Sequence, residues 1–489
     1  MSSLVDDYVN MTVRGFQRWY DSLKPRTENA RVSVILLVIN WVDKVTGIFR
    51  ESGIDITEDT VLKVSSPGYY EKLVPLLDET PSRIVVNYLH WSFVSSMITK
   101  TTDEMRELDE KMTENDSNEQ QNRSDLCIKE AEIADVVAYE YARRYFSGDV
   151  VKMTLNALDD MEEEMKIEIG ESNWANKEIK DLALRRVKFI KKNIGYPDWY
   201  NNATIMENYF EKVCRFPLLA EATEDWRDFL AMGPTYFENS LSFQRYYKLK
   251  ELRLLKHKDA AKSWIVDPLT INAFYLSESN SITVPLANLQ KPFFSKNQPN
   301  TINYALTGYL LAHELHHPFD ELKRLFNERG EEISWPEAMT KQYYKSVQCF
   351  VDQYDNYTLN GTPSGPKVKN YGNQTFDENM PDTMGLKTAF KAYKRREIMN
   401  GVPELKLPGL GMFDNDQLFF LSSANVRIPL WCETRDSEAI VTEAKLDMHS
   451  IGRLRCIGAL SNNQDFAETF SCPLGSPMNP KKKCNIWKI

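Results

Sequence analysis

Nothing in the 489-residue chain is long and apolar enough to cross a bilayer as a helix. The longest apolar run is VSVILLVINWV, Val32–Val42. A spanning helix needs about 20 such residues, and this run is interrupted by Asn40. It reads as a buried strand or helix segment. The opening stretch, MSSLVDDYVNMTVRGFQRWY, has no apolar core of the signal-peptide type. Basic blocks are missing apart from KKK at Lys481–Lys483, and the net charge is −10. That balance argues against nucleic acid as a partner, because phosphate binding needs a positive field. Seven cysteines are too few for a disulfide scaffold, and their odd number leaves at least one unpaired within the chain. Histidine is also scarce: there are six, and His313, His316 and His317 account for half of them.

What is present is ordinary for a soluble globular protein of two or three domains, with 42% hydrophobic and 27% charged residues. Residues 1 to about 200 read as mostly helical. VKMTLNALDDMEEEMKIEI and NKEIKDLALRRVKFIKKN carry apolar residues at three- and four-residue spacing, and IGYP stops the second. The acidic run DDMEEE is most simply a solvated helix face. TENDSNEQQNRSD, Thr113–Asp125, reads as a solvated loop. Beyond about Ile194 the texture changes. TINAFYLSESNSITVPLANL predicts a strand pair around the turn SESN. NYTLNGTPSGPKVKNYGNQTFDEN reads as a long loop, and MGLKTAFKAYKRREIMNG as a helix ending at Gly401. N-x-S/T sequons occur at Asn10, Asn115, Asn122, Asn202, Asn356, Asn360 and Asn373, and the last three lie within eighteen residues.

The chemistry concentrates in LLAHELHHPFD, Leu310–Asp320. On a helix, His313 and His317 share one face, where two imidazoles can take two tetrahedral corners around one Zn²⁺. Glu314 lies beside that face, placed to accept a proton from water. His316 is rotated away from the pair, and Pro318 follows His317 directly. On spacing alone, the motif fits a zinc helix and a chance match on a surface helix equally well. DENMPD, Asp377–Asp382, offers Glu378 as an oxygen ligand. It also offers Asp382 as an acceptor for the second N–H of a ligating histidine. Alone, such a pair is more often a solvated face.

These stretches form an ordered series. NAFY (Asn272–Tyr275), HELHHPFD, ENMPD, QLFFLSSANVRIPLWC (Gln417–Cys432), DMHSIGRLR (Asp447–Arg455) and CNIW (Cys484–Trp487) follow one another, with PGYYEKLVPLL and RRVKFIKKNIGYP upstream. In that order the chain resembles the neprilysin and endothelin-converting-enzyme family of zinc endopeptidases, over roughly residues 35 to 489. The resemblance implies an α+β fold, predominantly α-helical. A thermolysin-like zinc catalytic lobe would occupy 201–489, and a helical lobe covering the site would occupy 1–200. It implies one zinc ion on His313, His317 and Glu378, with Glu314, His449 and Asp382 as catalytic residues and His449 donating to the oxyanion. Asn272 and Ala273 would bind the substrate backbone from a strand edge. Arg455 would grip a substrate carbonyl, and Leu310 and Trp431 would line the pocket for the side chain after the cut. Short peptides would be cut on the amino side of large apolar residues.

The chain also departs from the family. It reads as an N-terminally shortened member with an incomplete helical lobe. Cys349 and Cys484 match a family disulfide. Cys127, Cys432 and Cys472 match positions whose partners lie in the absent part, and Cys214 and Cys456 are not placed. Pro318 and Pro381 stand where the family has Gly and Ala. Pro381 would splay Glu378 and Asp382 if it lay beyond a first helical turn. The expected protein is a monomer without a transmembrane segment. It is extracellular on the strength of its sequons, with a cytoplasmic chain or an incomplete gene model as the alternative. A catalytically weak or inactive peptide-binding relative is the alternative function.

Overall fold

Several helices begin where a short polar side chain takes up a free backbone N–H. Thr12 Oγ1 accepts from Gly15 N, Asn40 Oδ1 from Asp43 N, Asn176 Oδ1 from Ile179 N and Asn463 Oδ1 from Phe466 N. The computed structural model describes residues 8–23, 39–113, 134–202, 204, 234–253, 264, 266–402, 404–427 and 437–488. It divides into two compact units: Met1–Val136 with Asn201–Ala261, and Val137–Tyr200 with Lys262–Ile489. One boundary falls after Tyr200, and two more fall after Val136 and Ala261. Val137–Tyr200 belongs with the second unit because its helices and strand pack there, as shown below. Among the described residues, no helix is long and apolar enough to cross a membrane.

In the first unit, β1 (Tyr8–Thr12) pairs antiparallel with β2 (Val61–Ser65). The helices Val13–Ser22, Trp41–Glu51 and Pro67–Glu79 meet around Phe16, whose ring lies edge-on to Trp41 and Tyr70 at 5.4 and 5.6 Å. The expected buried segment Val32–Val42 lies mostly outside the described residues; its end caps and opens the helix Trp41–Glu51. The expected loop Thr113–Asp125 also lies outside them, save Thr113, which ends a helix.

The second unit has a three-stranded sheet in the order β3–β5–β4. β3 (Lys191–Gly195) runs parallel to β5 (Ser281–Pro285), and β4 (Phe274–Leu276) pairs antiparallel with β5 and forms one edge. The strand pair expected around SESN is β4–β5. The helix expected to run through IKKN instead stops at Lys188, because the next residues pair with β5 and bury Ile190 and Ile194. Tertiary pairing outweighs local helical spacing there.

The spine of this unit is the 30-residue helix Tyr371–Asn400, which ends on Gly401 with φ 70°. The loop expected through Asn379 therefore stops at Asn370, and DENMPD and MGLKTAFKAYKRREIMN form one continuous helix. Opposite it runs the helix Gly148–Gly170. Its acidic run is solvated only in part: Asp159 and Glu163 are exposed. Asp160, Glu162 and Glu168 are buried. Asp160 pairs with Arg396 at 2.7 Å, Glu164 with Arg395 at 2.7 Å, and Glu168 with Lys387 at 2.8 Å. Glu162 takes Lys192 of β3 at 2.8 Å. Lys387, Arg395 and Arg396 of the spine turn towards this helix, so these charges meet each other rather than water.

A second face of the spine packs on the helix Tyr309–His316. At Gly385 the two backbones come so close that a Cβ would lie 2.8 Å from His313 N and 3.0 Å from His313 Cα. Cys349, on the helix Glu337–Asp355, is bonded to Cys484. Trp487 is 1% exposed and stacks on Trp174 at 6.2 Å, so the C-terminal segment is part of the core.

Gly385→Ala gains about 1 kcal/mol of helix propensity, but it forces a methyl group into backbone. It is expected to destabilise the fold by about 1–3 kcal/mol. Gly47, within the helix Trp41–Glu51, has open space around a built Cβ. Gly47→Ala should therefore stabilise by about 0.5–1 kcal/mol. Denaturant titration of the two variants compares them directly; equal effects of one sign would contradict the steric reading.

Candidate metal centre

A helical run from Asn300 to Phe319 builds the centre. It starts as an α-turn at Asn300–Asn303, widens to a π-turn at Tyr304–Gly308, continues as the α-helix Tyr309–His316 and tightens to a 3₁₀ turn at His317–Phe319. π-turns of this kind are frequent at functional sites. Glu404 accepts from Asn300 N and Thr301 N at 2.6 and 2.8 Å, placing a carboxylate on the positive end of the run. Pro318 lies within the 3₁₀ turn, past the last α-helical residue, so it breaks no α-helical ladder.

His313 and His317 project from one face, with their Nε2 atoms 3.1 Å apart. The spine brings Glu378 Oε2 to 3.2 Å from His313 Nε2 and 3.7 Å from His317 Nε2. All three residues are buried. Pro381 lies ten residues into the spine, yet it does not splay the pair: Asp382 Oδ1 still reaches His313 Nδ1 at 2.9 Å. A tetrahedron with bonds of about 2.0–2.1 Å has edges of roughly 3.3 Å, so the donor triangle is of metal-binding size. Electrostatics agree. Burial works to lower the His313 pKa, but Asp382 and Glu378 outweigh it and hold it above its usual value. Burial works to raise Glu378, but the imidazoles of His317, His313 and His449 hold it well below the carboxylate range. The carboxylates around His313 thus favour positive charge at the point where the donor atoms converge, as a cation site requires.

Comparison with known sequences decides the family. Two sequence models of peptidase family M13 match the chain, over residues 7–197 and 272–486. The chain belongs to peptidase family M13. It is 28% identical over 464 residues to endothelin-converting enzyme 1 of Rattus norvegicus, covering 94% of this chain and 57% of that protein. It is 32% identical over 461 residues to an endothelin-converting enzyme homolog of Locusta migratoria, covering 92% and 59%. To neprilysin of Homo sapiens it is 31% identical over 455 residues, covering 92% and 57%. The chain therefore spans little more than half the length of these relatives. The fold is that of solved metalloprotease structures. A zinc metalloprotease of Mycobacterium tuberculosis, solved with an inhibitor, matches at TM-score 0.75 and 21% identity, over 99% of this chain and 67% of that one. PEPO from Lactobacillus rhamnosis matches at 0.68 and 18%, over 98% and 66%.

Within this M13 chain, the His–His–Glu donor set fits a zinc ion. Other predicted residues gather at it. His449 Nε2 lies 3.2 Å from Glu378 Oε2, and its Nδ1 lies 2.9 Å from Asp447. Arg455 forms a two-pronged pair with Asp382 at 2.6 and 2.8 Å. Glu314 is 4% exposed and, among the described residues, its carboxylate takes no hydrogen-bond or ion-pair partner. Leu310 is half-buried on the site helix. Asn272 and Ala273 stand just before β4; Asn272 Oδ1 accepts from Ala273 N, and Asn288 holds the Asn272 carbonyl. Trp431 lies outside the described residues. His316 is fully buried, with Nε2 2.9 Å from Thr388 Oγ1, and so is neither a surface residue nor part of the donor triangle. Burial first, then Lys387, pushes its pKa down to about 3, which makes it a neutral strut between the helices.

Two partners escaped the sequence reading. Asp320 lies 3.2 Å from His317 Nδ1 and also takes Lys323 Nζ. It is to His317 what Asp382 is to His313. Asp447 orients His449 through both its backbone N–H and its ring. Their signals were an Asp three residues after a histidine in a tight turn, and the D-x-H spacing.

Adding Zn²⁺ to the metal-free chain should raise Tm; at a free-ion level 100 times Kd the stabilisation is about 2.7 kcal/mol. Calorimetry should find no such gain in His313→Ala. Asp320→Asn should hold zinc about 10–100-fold more weakly in chelator competition. A full thermal gain in His313→Ala would show that the ion binds elsewhere.

Proposed function

We propose that this M13 chain is a zinc-dependent endopeptidase that hydrolyses internal bonds of short peptides on the amino side of large apolar residues. The observation that carries the reading is an unpartnered carboxylate on the largely buried Glu314, in the same helical run as two histidines that converge with Glu378. His313, His317 and Glu378 would hold one zinc ion. Once bound, the ion supplies Lewis acidity towards the scissile carbonyl and towards water.

The chain's own residues do the rest. Glu314 accepts the proton of the attacking water and later returns it to the leaving amine. Its freedom from internal partners suits a group that must change protonation state twice per turnover. His449, backed by Asp447, donates to the oxygen that gains charge as the carbonyl becomes tetrahedral. Asp382 and Asp320 orient the two metal-facing imidazoles. Arg455 steadies Asp382 and presents its remaining N–H groups to a substrate carbonyl. The edge of β4, with Asn272 and Ala273 beside it, offers a line of backbone groups along which an extended peptide can dock. Leu310 and Trp431 would accept the apolar side chain after the cut.

An extracellular, glycosylated protein fits the same reading. Asn356, Asn360 and Asn373 are exposed within their sequons, and the Cys349–Cys484 disulfide suits an oxidising compartment.

Purified chain given a short quenched peptide should cleave it, and a chelator should abolish cleavage. Glu314→Gln should keep its zinc while losing about 10²–10⁴-fold in kcat. Stoichiometric zinc without turnover in the parent chain would overturn the peptidase reading in favour of a peptide-binding protein.

A further inference from the structure

Arg186 is 1% exposed and lies at the end of the helix Lys177–Lys188, far in sequence from every residue of the metal centre. Its guanidinium does three things at once. Nη1 donates to the carbonyl of Pro318 at 2.6 Å and to that of Lys323 at 2.5 Å. Nη2 donates to Tyr275 Oη at 2.5 Å. Tyr275 in turn donates to Asn280 Oδ1 at 2.8 Å, and Asn280 Nδ2 donates back to the Arg186 carbonyl at 3.0 Å. The hydrogen bonds close a ring.

The two ends of this arrangement are both functional. Pro318 and Lys323 bracket Asp320, the carboxylate that lies on His317. Tyr275 is the middle residue of β4, the edge strand that follows Asn272 and Ala273. Among the described residues, every oxygen to which Arg186 donates is neutral. A permanently charged group buried without a carboxylate is costly; here Nη1 and Nη2 are engaged, while Nε is buried and takes no partner. Here the charge also lies at the C-terminal, negative end of the helical run that carries His313 and His317. Only a planar fork reaches two carbonyls and a phenol from one stem; a lysine ammonium is a point.

We propose that Arg186 is a positioning residue that holds the His317–Asp320 turn and the β4 edge in one fixed relation, so that metal binding and peptide docking both depend on its guanidinium. The docking half rests on the peptidase reading above; the metal half does not.

The test uses the full chain with Arg186→Lys and Tyr275→Phe, each with a folding check by circular dichroism. Zinc affinity is read by chelator competition, and peptide affinity by titration in a Glu314→Gln background, so neither needs turnover. Arg186→Lys should bind zinc about 10–100-fold more weakly and also lose peptide affinity. Tyr275→Phe should leave zinc affinity unchanged and weaken peptide binding about 3–10-fold in the titration, the loss of one hydrogen bond. A folded Arg186→Lys with parental zinc and peptide affinity overturns the proposal. Unchanged peptide affinity in Tyr275→Phe removes its strand arm. Should Arg186→Lys not fold, Arg186→Gln replaces it, and failure of both to fold assigns Arg186 to stability alone. A parent chain that binds zinc and peptide without cleaving would defeat the peptidase reading and leave this test standing.

Discussion

Two helix backbones meet at Gly385 and His313 more closely than any residue with a Cβ allows. The candidate site depends on that approach. His313 and His317 come from one helix, and Glu378 and Asp382 come from the other, a turn or two before the contact. A separation larger by the width of a methyl group would open the 3.2 Å gap between His313 and Glu378 beyond what a single ion can bridge. The other contacts on these two helices can be understood as holding that distance. His316 bonds across the same interface to Thr388, and Met161, Met380 and Met384 fill the core around it.

The opposite face of the spine is fixed by charge rather than by close packing. Asp160, Glu164 and Glu168 face Arg396, Arg395 and Lys387 along some two and a half turns. Such pairs, half-buried and joined in a row, resist sliding of one helix along the other because any shift leaves a buried charge unpaired. The spine is thus gripped on both sides: a glycine contact sets its distance from the site helix, and an ionic ladder sets its axial position.

What was legible in the sequence is what a single helix or a single motif encodes. His313 and His317 four apart, Glu378 and Asp382 four apart and the strand pair around SESN are found in the fold, as is the Cys349–Cys484 bond, which only the family resemblance implied. What was not legible depends on partners far along the chain. IKKN has helical spacing, and only the presence of β5 makes it a strand. Asp160 and Glu164 of DDMEEE look solvated until Arg396 and Arg395, more than two hundred positions away, are set against them. Asp320 lay within the quoted motif, but its role depends on the 3₁₀ turn that Pro318 opens. Arg186 has no local signal, since all the groups it joins lie elsewhere in the sequence.

That distribution also makes the site non-local. The body that carries the metal centre is assembled from Val137–Tyr200 and Lys262–Ile489, with the intervening stretch assigned to the other unit. β3 must find β5 across that excursion, the acidic helix must find the C-terminal half of the spine, and Cys349 must find Cys484. Each is a long loop to close before its contacts are gained, which gives this body a high proportion of non-local pairings. The four metal-facing and orienting residues on the two central helices are close in sequence by comparison, yet their final spacing is set by these distant closures. Competence to hold an ion is therefore a property of the whole body and not of the two helices that carry the donors.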